Sequence, residues 1–326
     1  MRTGLSKILA AAILFITCLY TCEPASALPA VQDIVDQVSQ TAYTNYLDNT
    51  LYTHTGSNRG IGGAQHDLAR DNIYSEFNSF GLAASYQPFT YSGSTYYNVV
   101  GVHPGTTRPD DIFIVGAHYD STSSGSNPAP GADDNGSGSA GVLEAARVLS
   151  QYEFEATLIF IGFDREEQGL YGSKAYALQS YNSGDNILGM ISLDMITYNP
   201  DGANKNKAQI RGRDGSAALK LSLADAMTLY GGGLTGVIGG ALNVSDHSPF
   251  EDYGYDACLL IEYSANPYYH TSNDSVDTLN YIDYTFATKI VSSTVGFLAD
   301  AAVPIPEPAT MLLLVFGAVL ARKRPG

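Results

Sequence analysis

Asp111-Ile112-Phe113-Ile114-Val115-Gly116-Ala117 runs apolar almost without interruption and ends on His118-Tyr119-Asp120. A continuous apolar run, rather than an alternating one, predicts a strand buried on both faces. Two more runs repeat the pattern. Ala156 to Phe163 is followed by Asp164-Arg165-Glu166-Glu167, and Ile187 to Leu193 by Asp194. A fourth, Ala257 to Glu262, precedes the loop that carries His270. Helical patterns fall between and after them, at Ser139–Tyr152, Gly172–Tyr181, Gly215–Tyr230 and Tyr281–Val303. Buried strands alternating with helices predict an α/β fold. The expected form is a three-layer sandwich, a mainly parallel mixed sheet with helices on both faces. The polar residues all follow the carboxyl ends of strands, the edge where open α/β sheets bind ligands.

Upstream, apolar residues recur at helical spacing from Val31 to Leu51 and again from Ala64 to Phe80, where Gly81 supplies a C-cap. Ala84 to Val102 is rich in Tyr, Thr and Val with turn residues, which predicts a hairpin. Ala208 to Arg211 predicts a short edge strand. Residues 28 to about 60 fit either a lid or a propeptide.

The chemistry concentrates in Pro130-Gly131-Ala132-Asp133-Asp134-Asn135-Gly136-Ser137-Gly138. Two adjacent carboxylates on a Gly-rich turn, with no Lys or Arg nearby, are costly unless a cation neutralises them. The other candidate ligands are His118, Glu166, Glu167, Asp194 and His270. Two His, several carboxylates and no Cys suit Zn²⁺, with Mn²⁺ or Co²⁺ as alternatives, in a catalytic rather than a structural site.

Five segments in order resemble the co-catalytic di-zinc exopeptidases typified by bacterial leucyl aminopeptidases and related to glutamate carboxypeptidase. They are His118-Tyr-Asp-Ser, Gly131-Ala-Asp-Asp-Asn-Gly-Ser-Gly, Phe163-Asp-Arg-Glu-Glu-Gln-Gly-Leu-Tyr-Gly-Ser, Leu193-Asp-Met and His270-Thr-Ser-Asn-Asp. The resemblance covers roughly Asp111 to Asp277. It implies two zinc ions per chain, bridged by Asp133, with His118 and Asp194 on one and Glu167 and His270 on the other. It also implies a cis peptide between Asp133 and Asp134. Glu166 is implied as the general base that activates the attacking water and passes its proton to the leaving amine. Asp120, two residues beyond His118, would hold the other imidazole nitrogen, and Asp274 would do the same for the His270 loop. The implied activity is that of an aminopeptidase acting on peptides with a free N-terminus.

Rival functions make their own demands on the residues. A carboxypeptidase on this scaffold needs a basic group for the substrate carboxylate, and Arg165, Arg211 and Arg213 are the candidates. A glutaminyl cyclase lines its pocket with Trp, and the chain has none. A catalytically inactive surface binding protein would be expected to have lost a ligand or Glu166, and all are present. A serine triad of Ser121, His118 and Asp120 lacks the nucleophile elbow. Ser245-Asp246-His247 resembles a family segment near the substrate pocket, with His247 equally readable as structural. The Tyr expected near that segment to stabilise the oxyanion is missing, leaving Tyr253, Tyr255, Tyr263, Tyr268 and Tyr269. His54, His66 and His103 fit no motif and are expected at the surface or in hydrogen bonds.

The 326 residues are enough for one large domain or two small ones, and the net charge of −16 argues against a nucleic-acid partner. Residues 1–27 have the charged, apolar and A-x-A regions of a signal peptide. Its removal by signal peptidase would leave Cys258 as the one cysteine. Residues 304–326 place Pro306-Glu307-Pro308 before an apolar stretch and Arg322-Lys323-Arg324, which resembles the PEP-CTERM sorting signal of Gram-negative bacteria, recognised by an exosortase. The catalytic part is thus expected to be residues 28–303, exported, transiently anchored by the tail, then secreted or held at the cell surface.

Overall fold

The computed structural model describes residues 30–125 and 128–305. All lie in one unit, Leu28–Glu307. Residues 1–27, expected as a signal peptide, and the expected sorting tail beyond Ile305 lie outside the described residues.

Eight strands form one sheet: β1 (Ala83–Tyr91), β2 (Ser94–His103), β3 (Arg108–His118), β4 (Ala156–Phe163), β5 (Asn186–Leu193), β6 (Lys207–Arg211), β7 (Thr235–Ile238) and β8 (Ala257–Glu262). Their order is β1-β2-β4-β3-β5-β8-β6-β7. The central four, β4-β3-β5-β8, are parallel. β1, β2 and β6 join antiparallel, while β7 runs parallel to β6. The result is the mixed α/β sheet expected.

Side chains alternate across the sheet at the period of two that a strand imposes. Phe113, Val115, Leu158, Phe160, Ile191, Leu193, Cys258 and Leu260 enter the larger core. It is covered chiefly by α4 (Gly138–Leu149), α6 (Ala217–Tyr230) and α8 (Tyr284–Ala302). Ile114, Ile159, Ile161, Met190 and Ala257 enter a smaller core on the other face, covered by α5 (Tyr171–Ser183) and α7 (Ser248–Asp252). Burial on both faces is why these strands read as unbroken apolar runs.

Two expectations change. The pattern at 31–51 is not one helix but α1 (Val31–Val35), α2 (Gln40–Asn45) and a π-helical turn at Tyr46–Thr50. Ser39 starts α2 afresh, its hydroxyl accepting from the Ala42 amide at 3.2 Å. β6 is not at the edge, because β7 pairs beyond it. Thr235-Gly236-Val237-Ile238 carries no apolar run long enough to announce that strand. The helix α3 (His66–Ser79) and the hairpin β1–β2 match their expected positions.

At the far end of the chain, Pro304 forms an antiparallel bridge with Phe154, and the Ile305 amide donates to the Glu153 carbonyl at 2.8 Å. This attachment lies at the amino end of β4, opposite the edge that carries His118 and Asp164.

Candidate active site

His118 is the last residue of β3, and Nδ1 lies 3.0 Å from the Asp120 carbonyl and 3.5 Å from the Asp120 carboxylate. Its Nε2 faces the centre, 3.4 Å from Asp134, 3.6 Å from Asp194 and 3.9 Å from Glu166. The Asp120 carboxylate also accepts from the amides of Glu166 and Glu167, at 3.2 and 3.3 Å. One buried carboxylate thus aligns the β3 and β4 loops, while the nearer partner of the His118 Nδ1 is the Asp120 carbonyl rather than the carboxylate expected to hold it. Asp194, at the end of β5, accepts from Ser245 at 2.7 Å. His270 Nε2 lies 3.1 Å from both Asp134 and Glu167.

Of the two adjacent acids, Asp134 and not Asp133 stands between the imidazoles, with Oδ1 toward His118 and Oδ2 toward His270. Asp133 turns to the other side of the backbone. It accepts from the Thr197 amide at 2.9 Å, the Thr197 hydroxyl and Asn266 at 2.7 Å, so it is not placed to bridge. The cis peptide is likewise one residue later, at Asp134–Asn135. Asp274 corrects a further expectation. Its carboxylate accepts from the Asp133 and Asp134 amides at 2.7 and 3.0 Å and from Tyr281 at 2.9 Å. It therefore holds the acidic turn rather than the His270 imidazole.

Two glycines permit this approach. Gly131 is left-handed, with φ 58°, where an L side chain is strained. Gly138, opening α4, lies against β5, where a Cβ would come 2.1 Å from the Leu193 carbonyl. That contact brings the Asp134 turn beside Asp194.

Charges are crowded. Burial opposes a proton on His118, but Glu166, Asp120, Asp134 and Asp194 outweigh it and hold the pKa well above the ordinary value. Burial raises Glu166 well above the carboxylate range, with Asp246, Asp194 and Glu167 adding to it and His118 offsetting it. Burial and then Asp134 push Glu167 up to about 7. His270 rises to about 10, as Asp134 and Glu167 overcome partial burial. Asp246 joins the site without having been singled out by its residue type. It is fully buried, both its oxygens are unpartnered, and burial pushes it up to about 7. The Ser-Asp-His segment is the signal that points to it, although the imidazole is the more conspicuous group there. His247 is buried beside it, both ring nitrogens unpartnered, and does not line the pocket.

The donor atoms of His118, Glu166 and Asp194 lie within 4.8 Å of one another, as do those of His118, Asp134 and Glu167. Glu167 Oε1 is buried without a partner. A set of imidazole nitrogens and carboxylate oxygens with an orphaned buried oxygen fits zinc.

The centre opens into a pocket of about 490 Å³. Met195, Val244, Leu259 and Ile261 give it apolar walls, while Glu262, Gln209 and Asn266 add polar groups. No Lys or Arg is among the described residues lining it. Arg165 stacks over Tyr96, with its guanidinium carbon 4.0 Å from the ring centre. Arg211 donates to Gln209, and Arg213 to Asp252. Of the five tyrosines considered, Tyr263 and Tyr269 line the pocket, and Tyr269 stacks on His270 with centroids 3.7 Å apart. His54, His66 and His103 are all hydrogen-bonded, His66 to Asp164 at 2.8 Å.

Residues 98–295 match the family model described as Peptidase family M28. Leupeptin-inactivating enzyme 1 of Streptomyces exfoliatus is 36% identical over 152 residues, 45% of this chain and 33% of that protein. A probable zinc metalloprotease of Pyrenophora teres f. teres is 32% identical over 190 residues, 51% of this chain and 40% of its own. The chain thus spans a third to two fifths of the length of these curated relatives. Among solved structures, the LapA aminopeptidase of Legionella pneumophila superposes with TM-score 0.70 at 23% identity, covering 83% of this chain and 74% of its own. A glutaminyl cyclase of Porphyromonas gingivalis gives 0.67 at 21%, covering 81% and 99%. Both share the fold.

Proposed function

The chain belongs to peptidase family M28, and from that premise we propose that it is a zinc-dependent aminopeptidase releasing N-terminal residues from peptides. The observation that carries this reading is the pocket: acidic groups beside the paired imidazoles and no Lys or Arg among the described residues that line it. A free ammonium group is attracted there, and a substrate carboxylate has no cationic partner. Arg165 and Arg213 are engaged away from the pocket, and Arg211 reaches it only through Gln209 without lining it, which counts against the carboxypeptidase reading. The absence of Trp counts against a cyclase.

His118, Asp134, Glu167, Asp194 and His270 would hold two zinc ions. When bound, the metal supplies Lewis-acid polarisation of the scissile carbonyl and lowers the pKa of water. The chain's own groups do the rest. Glu166, half-buried and held in place by the Asp120 contact to its amide, takes the proton of the attacking water and gives it to the leaving amine. The first side chain of the peptide lies against Met195, Val244, Leu259 and Ile261. Of the tyrosines, Tyr263 and Tyr269 line the pocket and are the candidates to stabilise the developing oxyanion.

The leader and tail support an exported, transiently anchored enzyme processed by signal peptidase and an exosortase. Among the described residues, no helix is long and apolar enough to cross a membrane.

The test uses leucine anilide and its N-acetylated twin, before and after chelation. Hydrolysis of the free-amine substrate alone, abolished by chelator and restored by zinc, is the expected result. Hydrolysis of the acetylated twin at an equal rate would overturn the reading.

A further inference from the structure

Arg59 lies outside every segment that carries the chemistry, yet it is fully buried. Buried arginines are ordinarily paired with a carboxylate. Among the described residues, Arg59 has no such ion pair. Its guanidinium donates to main-chain carbonyls instead: Nε to Tyr119 at 2.9 Å, Nη2 to Gly131 at 2.8 Å, and Nη1 to Pro130 and, at 3.3 Å, to Leu51. The Arg59 amide donates to the Ala129 carbonyl at 3.2 Å.

Apart from Leu51, these partners fall on two loops. Tyr119 sits between His118 and Asp120. Ala129, Pro130 and Gly131 lead into the turn that presents Asp134. We propose that Arg59 is a positioning residue whose planar fork ties these loops together and sets the spacing between the His118 imidazole and the Asp134 carboxylate. A fork is needed because the carbonyls are met from three nitrogens in one plane, which a single ammonium cannot reproduce. Left-handed Gly131 completes the fit, since a Cβ there would come 3.1 Å from Arg59 Nη2. The charge is balanced through space. Burial lowers the Arg59 pKa to about 10, against the pull of Asp274, Asp120, Asp134 and Glu167. The described residues before Gly60 thus reach the scaffold of the site through Arg59. Tyr43 adds a second tie, its hydroxyl donating to the Ser137 carbonyl at 3.1 Å.

This inference rests on the zinc reading, and the test separates the two. Zinc affinity is measured on the whole protein by competition with a chromophoric chelator, alongside kcat, KM and thermal unfolding, for wild type, Arg59→Lys and Arg59→Met. Wild type should bind two zinc ions. Both variants should bind zinc roughly 10–100-fold more weakly, and at saturating zinc kcat should fall more than KM rises. Arg59→Lys, which keeps charge and stem, should regain thermal stability without regaining zinc affinity. If Arg59→Met does not fold, Arg59→Lys decides alone. Variants that lose only thermal stability, with wild-type zinc affinity and kcat, would overturn the positioning role. Wild type binding no zinc would overturn the functional reading, and this inference with it.

Discussion

Glu166 and Glu167 share a loop and a burial level but face different partners, Glu166 toward His118 at 3.9 Å and Glu167 toward His270 at 3.1 Å. Separate roles make separate predictions. Glu166→Gln should lower kcat by about 10²–10⁴-fold and leave bound zinc, measured by elemental analysis, unchanged. Asp134→Asn should instead deplete zinc. Asp133→Asn should retain it, because Asp133 spends its oxygens on Thr197 and Asn266. The pair also marks what the sequence can reveal. Two neighbouring acids on a Gly-rich turn announce a cation, but which of them faces it depends on backbone direction at Gly131 and on Asp274 pinning both amides. Neither is written in residue type. Asp246 shows a different loss. A buried carboxylate with no hydrogen-bond partner is visible only once burial is known.

The elements that read clearly are those buried on both faces, because a short unbroken apolar run between turn residues has to be covered on every side. β3, β4, β5 and β8 match expectation for that reason. β7 escapes notice in the sequence because it is four residues long and partly exposed, and the 31–51 pattern misleads because helical spacing persists across a turn. The junction of α4 with β5 gives a prediction at this level. Gly138→Ala places a carbon 2.1 Å from the Leu193 carbonyl, so either the helix or the strand must move. The expected cost is about 1–3 kcal/mol, the range for overpacking, measured by denaturant unfolding. Activity should fall as well, since the same displacement separates Asp134 from Asp194.

Across the whole molecule, the centre binds protons more tightly when folded. Glu167 and Asp246 are held at about 7 and Asp274 at about 8, against about 4 when unfolded. His270 is held at about 10, against about 6.5. Folded values raised above unfolded ones contribute stability in full below the unfolded values, and that stability is lost as pH rises through the folded ones. The zinc-free protein should therefore lose thermal stability from about pH 5 to pH 9, and zinc, competing for the same sites, should raise the Tm most at pH 9. Asp120 and Asp134, held low largely by His118 against their own burial, act in the opposite sense only under more acid conditions. Melting curves in chelator and in zinc at pH 5, 7 and 9 check this.

The bridge between Pro304 and Phe154 sets a direction. β4 spans eight residues between that bridge and Asp164, roughly 25 Å at the rise of an extended strand. The last described residues, Pro304 and Ile305, are thus fixed at the end of the sheet opposite His118 and Asp164. A load applied at that end meets the strand far from the metal-binding side chains, so coupling the protein to beads through a C-terminal tag should leave kcat/KM for small substrates unchanged.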